Sequence, residues 1–281
     1  MKYLGPAIAI LFAFAVAFPP VADVADVESL LRFSVLGGAE RETASGDHRE
    51  TGARPHGMGS GEIMGVLPLS PHFGFQGSFN YTGGDGSRFG TNVGAIYGWP
   101  EGKSGLFFAY QHRTTAGGDH HDYLWVRPAL ALYFPDVNVN LWYSQPLTET
   151  QRSGHTGDNR PLSIPVNQLQ GTASYFPPLA IMGQKEALEL TFGVQVNSFA
   201  GMDSEKLKIG VGPVFGIAMM PIKNLEVALL RGTIDNRSRY KFDTGIHYYF
   251  GTTATTLKEY RRKYLEPTNL PGTAGTWTHE P

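Results

Sequence analysis

Arg239-Tyr240-Lys241-Phe242-Asp243-Thr244-Gly245-Ile246-His247-Tyr248-Tyr249-Phe250 is the stretch whose pattern decides the fold. Its even positions are mainly apolar, whereas its odd positions carry Arg239, Lys241, Asp243 and His247. Successive side chains of an extended chain point to opposite faces, so this reads as a strand with one face toward oil and the other toward water. The same alternation recurs upstream. Leu188, Leu190, Phe192, Val194 and Val196 oppose Glu189, Thr191, Gly193, Gln195 and Asn197. Val137, Val139, Leu141 and Tyr143 oppose Asn138, Asn140, Trp142 and Ser144. Leu207, Ile209, Val211, Pro213, Phe215 and Ile217 oppose Lys208, three glycines, Val214 and Ala218.

Extended over the chain, the pattern predicts twelve strands near 29-41, 60-68, 72-82, 88-99, 104-113, 122-134, 137-145, 167-176, 187-199, 206-219, 224-232 and 238-250. Such lengths suit tilted strands that cross a bilayer in about 9 to 11 residues. Connections after even strands carry Pro71, Pro100, Pro135, Pro177-Pro178 and Pro221, and are mostly tight; the ten-residue stretch 177-186 is longer. Those after odd strands are polar, and two of them, 42-59 and 146-166, are long. Short turns at one end and long loops at the other are the asymmetry of an outer-membrane barrel. Aromatics are expected to form two girdles: Trp99, Phe134, Phe176 and Phe250 at the turn end, and Tyr81, Tyr110, Tyr143 and Tyr240 at the loop end. The expected fold is an all-β, transmembrane, antiparallel up-and-down β-barrel of about twelve strands. A soluble sandwich or lipocalin-like barrel would also alternate, but it would not need aromatics ranked at both strand ends.

Composition agrees. Of 281 residues, 41% are hydrophobic and only 17% charged, against roughly 25% charged in an ordinary soluble domain. Gly 35 and Pro 19 without a G-X-Y period favour a protein full of turns. A net charge of −2 offers nothing to nucleic acid, and the absence of cysteine removes disulfides, thiolate metal sites and lipid anchoring through Cys. No cofactor is expected.

Lys2, an uncharged run from Tyr3 to Phe18, and Pro19-Pro20 before Asp23 are ordered as in a secretory signal peptide, with cleavage after Ala17 or Ala22. The expected organisation is a signal peptide at 1-22, a short periplasmic lead-in at 23-28, the barrel at 29-250 and a tail at 251-281. Within the tail, Thr255 to Leu265 carries Lys258, Arg261, Arg262 and Lys263 among apolar residues and suits a short basic amphipathic helix. Such a segment can lie at a membrane surface, plug the lumen, touch a periplasmic partner or form a frayed polar extension.

Across 29-250 the chain resembles bacterial outer-membrane β-barrel proteins, the porin-like group. The closing strand, Tyr240 to Phe250, is similar to the C-terminal strand that the barrel-assembly machinery reads, although 31 residues follow Phe250 where that group usually stops. The resemblance implies a bacterial outer-membrane location among lipid and lipopolysaccharide, and passage of small solutes. Expected lumen-facing charges are Arg32, Arg127, Glu189, Lys208, Glu226, Arg239, Lys241 and Asp243, which either line an aqueous pore or pair across a narrow lumen and fill it. Their mixed signs predict no strong ion selectivity.

A weaker similarity points to outer-membrane phospholipase A, whose pattern is a His and a Ser two residues apart on the lipid-facing side near the outer rim. Here His112 and Thr114 occupy those places, with Asp122 as the candidate to hold the imidazole. Thr replaces Ser, the expected Asn is absent, and a rim histidine at headgroup level is the alternative. Asp119-His120-His121-Asp122 is a dense set of candidate metal ligands, expected in the third loop, with His48, His56 and His155 in other loops. A solvated polar loop is the competing reading. A structural or adhesion barrel working through 42-59 and 146-166 is a third functional class.

Overall fold

In a computed structural model the described residues are 27–41, 56–84, 87–114, 120–147, 151–152, 161–165, 167–200, 207–234, 240–265 and 278–279. The N-terminal segment read as a signal peptide lies outside them. Twelve strands form one closed antiparallel barrel. They are β1 (Leu30–Arg41), β2 (His56–Pro68), β3 (Phe73–Gly83), β4 (Ser87–Trp99), β5 (Gly102–Thr114) and β6 (His120–Tyr133). They continue as β7 (Val137–Pro146), β8 (Asn167–Tyr175), β9 (Leu188–Ala200), β10 (Leu207–Ile222), β11 (Leu225–Ile234) and β12 (Tyr240–Phe250). One short helix follows, α1 (Leu257–Arg261). Gln151–Arg152, Pro161–Pro165 and Thr278–His279 form a separate three-stranded sheet.

Each strand pairs with its sequence neighbours, and β12 returns to β1 in an unbroken register from Leu31↔Phe250 to Arg41↔Tyr240. No edge is left, which is the condition for a sheet to stand in hydrocarbon. The expected alternation is observed on β12, where Lys241, Asp243, His247 and Tyr249 are buried toward the lumen and Thr244, Ile246, Tyr248 and Phe250 are exposed on the outer face. Tight connections share one rim, the turn rim, with the start of β1 and the end of β12. Phe134 N–H donates to the Val137 carbonyl at 2.8 Å in one of them, and Asn224 takes the left-handed conformation (φ 69°) in another.

Three expectations change. β2 begins at His56 rather than residue 60, so the first loop shrinks to 42–55. Gly57, Gly59 and Gly61 remove one face of the pattern there, yet the ladder pairs Glu40↔His56. His120 and His121 belong to β6, paired with Thr114 and Arg113, and not to a loop. The turn-rim girdle is also smaller than expected. Phe134 and Phe250 are exposed, but Trp99 is 3% and Phe176 0% exposed, and Phe176 packs into the lumenal core instead.

Val35 and Ile246, partners midway along β1 and β12, are 70% and 51% exposed. Placing Asp at either puts a charge in the apolar band, at a cost of roughly 1 to 4 kcal/mol that shrinks toward the interfaces. Val35→Asp and Ile246→Asp are expected to lower the fraction of protein that migrates faster unheated than boiled on a denaturing gel, and Tyr240→Asp at the loop rim to lower it less. Equal assembly of all three variants would contradict the outward assignment.

Candidate functional site in the barrel lumen

The lumen has two zones. Toward the turn rim its wall is apolar, with Met64, Ile96, Phe107, Trp142 and Met220 each at most 2% exposed. An aqueous pore would leave such side chains wet. They are covered by the chain itself, which turns at Gly251 (φ 72°) after the closing strand and folds back inside the barrel.

Helix α1 starts at a capping box: Thr256 accepts from Glu259 N–H, and the Glu259 carboxylate accepts from the backbone of Thr256. Burial pushes the Glu259 carboxyl up, but the backbone N–H groups of Thr255 and Thr256 outweigh it and hold it below the ordinary glutamate range. Five helical residues cannot hold themselves in water. What holds them is the wall, because Leu257, Tyr260, Tyr264 and Leu265 form one face at helical spacing and are at most 2% exposed. Full burial of each Leu side chain alone contributes about 1.5–3 kcal/mol.

Apart from the capping Glu259, the other positions of 257–265 are basic, and each meets a group on a different part of the barrel. Arg261 donates to Glu189 at 2.7 Å, to Glu226 at 2.6 Å and to the Tyr249 hydroxyl at 3.1 Å. Lys258 pairs with Glu186 and donates to the Pro135 carbonyl at 2.9 Å. Arg262 donates to Asn138 at 3.0 Å and lies 5.1 Å from the centre of the Tyr133 ring. Lys263 reaches Glu28 at 2.5 Å. Burial raises the Glu28 carboxyl, but hydrogen bonds from Lys263 and Thr253 outweigh it and leave it below the ordinary range. Leu265 exchanges two backbone hydrogen bonds with the Gln76 amide, at 2.7 and 2.8 Å. Tyr260 stacks on Tyr249 at 4.5 Å and donates to Asn224. The Arg32 guanidinium lies 4.8 Å from the centre of the Tyr264 ring. The segment thus spans the lumen from wall to wall.

Glu226 is the hub. It accepts from Arg261, Arg231 at 3.4 Å and Tyr249, and lies 3.8 Å from His247. His247 accepts from Arg231 on Nε2, which leaves its Nδ1–H to donate to Ser34 at 2.7 Å. Of the lumenal charges expected from the sequence, Arg32, Glu189 and Glu226 meet the tail. Lys241 and Asp243 belong to a second group nearer the loop rim, where Lys241 lies 3.7 Å from Glu40, Glu40 pairs with Arg88, and Asp243 lies 4.0 Å from Arg231. Arg127 stands apart, donating to Ser144 at 3.1 Å beside the Trp125 ring. Arg239 and the Lys208 side chain lie outside the described residues.

Several inward charges escape the sequence reading: Glu40, Glu62, Arg88, Lys103, Arg113 and Arg231. Glu62 pairs with Arg32 at 2.5 Å, with neither side chain exposed. Parity would have found Glu40, which shares the buried face of β1 with Arg32 and Ser34. It could not find Arg231, because a bulge between Ala228 and Arg231 reverses the face and turns both Leu229 and Leu230 outward. Between helix and wall remains a cavity of about 80 Å³ lined by Thr172, Ser174, Thr191, Glu189, Arg231 and Arg261. It is sized for water, not for a solute.

On the outer face near the loop rim, Asp122 stands opposite His112 and accepts from Tyr110 at 2.5 Å and from His112 Nδ1 at 2.9 Å. Thr114, however, bonds His120 Nδ1 at 3.1 Å. The two imidazoles stack 5.5 Å apart, His112 bonded to Asp122 and His120 to Thr114. His120 and His121 occupy successive positions on β6, and the His121 side chain lies outside the described residues. Asp119 lies outside the described residues, and among those described no three His, Asp or Glu side chains gather as a metal site.

Glu226→Ala leaves Arg261 and Arg231 buried without their shared anion. Removing one partner of a buried ion pair costs about 3–5 kcal/mol, so the temperature at which the barrel loses its fast gel migration should fall sharply. His112→Ala should leave that temperature, and background fatty-acid release from mixed micelles, unchanged.

No family model matches the sequence, and no curated protein matches it. Solved structures do. The chain superposes on the COG4313 outer membrane channel from Pseudomonas putida F1 with a TM-score of 0.58 at 9% identity, covering 80% of this chain and 96% of that one. A membrane-protein structure from work on in-meso crystallization gives 0.52 at 11% identity, over 86% of this chain and 98% of that one. At such identities the likeness speaks to architecture, and the chain has the fold of the bacterial outer-membrane β-barrels.

Proposed function

We propose that the protein is a porin-like channel of a bacterial outer membrane that passes small hydrophilic solutes. The observation that carries this reading is the inversion of an ordinary protein: apolar side chains cover the outside of a closed barrel, and charged and amide side chains face its lumen. The turn rim then faces the periplasm and the loop rim the exterior, in line with the short-turn, long-loop asymmetry of such barrels. Strand β12 would serve as the segment read by the assembly machinery, and the outer face would contact lipid and lipopolysaccharide. Arg32, Arg127, Glu189, Glu226, Lys241 and Asp243, with Lys208 and Arg239, would set ion preference along the path. Both signs are interleaved, so that preference is weak.

Planar-bilayer recording tests the proposal. Purified protein, or failing that a chain ending at Phe250, should give discrete openings without strong ion selectivity in a salt gradient. Silence from both the full chain and a chain ending at Phe250 would overturn the channel reading.

A further inference from the structure

The geometry points to residues 252–265 acting as a displaceable plug that holds the channel shut from the turn rim, an inference that rests on the channel reading. Three observations separate plug from wall. The barrel closes within residues 30–250, because β12 pairs with both β1 and β11 without help from the tail. The plug adds no strand to the ladder; its cross-lumen bonds are made through side chains, and even the Leu265 backbone meets the side chain of Gln76. It enters the lumen from one junction, Gly251, whose positive φ is freely available to glycine, and further along the tail Thr278–His279 pair with Pro161–Pro165 outside the barrel ladder. A segment bound to the wall through side chains, outside the barrel ladder, can leave that wall and return to it.

Its chemistry is complementary to its seat in charge as well as shape. Lys258, Arg261 and Lys263 meet Glu186, Glu189, Glu226 and Glu28, four carboxylates spread over three walls of the mouth. When the plug leaves, those carboxylates lose its cations, Glu226 keeping Arg231 and Tyr249 of the wall, and they line the open path. The open state is therefore wider than the residual cavity of about 80 Å³ and favours cations at its turn-rim mouth.

The test compares three proteins in planar bilayers, each first shown to be assembled by heat-dependent gel migration: the full chain, a chain ending at Phe250, and full-length Arg261→Glu. Both variants should conduct severalfold more than the full chain, with reversal potentials shifted toward cation preference. Glu189→Gln with Glu226→Gln in the shortened chain should reduce that shift. A synthetic peptide of residues 252–265, added to one side only, should block the shortened channel again, and the same peptide carrying Arg261→Glu should not. If the shortened chain fails to assemble, Arg261→Glu alone decides, since reversing that charge beside Glu189 and Glu226 expels the plug from an intact barrel. Full chain and variants conducting alike, or no block by the peptide, would overturn the plug and leave the channel reading standing. Silence in all three would overturn the channel reading itself.

Discussion

A backbone in hydrocarbon has no water to bond, and each unpaired N–H or C=O there costs several kcal/mol. That constraint is met at the seam where β12 finds β1, from Leu31↔Phe250 to Arg41↔Tyr240. Closure removes the last free edge and divides every strand into a lipid side and a lumen side. The outside must then be apolar, as Val35, Phe192, Val194 and Ile246 are. Charges within the apolar band are consequently driven inward, where little water dilutes their field. Arg32 with Glu62, Lys241 with Glu40, and Arg231 with Asp243 are results of that sorting.

Inside, the arrangement differs by height. Near the loop rim, charges of the wall pair with one another, as Lys241 and Arg88 do with Glu40. Near the turn rim the wall offers apolar side chains beside Glu189 and Glu226, and Arg231 of the wall meets Glu226. Arg261 bridges the two carboxylates, while Leu257 and Leu265 cover the apolar wall. Burying an ion pair gains little over burying apolar groups of the same size, but breaking one is costly. The tail thus contributes affinity through its apolar face and register through Arg261.

The strands are legible in the sequence because alternation is strongest where apolar and charged residues share a strand, as on β9 and β12. It fails where one face lacks a side chain to read, at Gly57, Gly59 and Gly61. At the β11 bulge it also fails: Leu229-Leu230 breaks parity, and only pairing with β10 and β12 shows which face Arg231 takes. The basic amphipathic character of 255–265 is visible, but several docking places fit it equally. The feature that discriminates among them is in the sequence too. Met64, Ile96, Phe107 and Trp142 fall on the inward parity, and an inward apolar patch requires something apolar to cover it. Charges alone cannot reveal this, because a wet pore and a filled one carry the same charges.

The order of dependence between barrel and tail follows from where the tail's partners sit. Glu28 precedes β1, Gln76 is on β3, Asn138 on β7, Glu189 on β9, Glu226 on β11 and Tyr249 on β12. No two or three neighbouring strands hold this set, so the seat exists only once the sheet has closed. The ladder, by contrast, contains no tail residue. Docking requires the barrel, whereas the barrel's ladder closes without the tail, and the proposed exchange of the plug rests on this asymmetry.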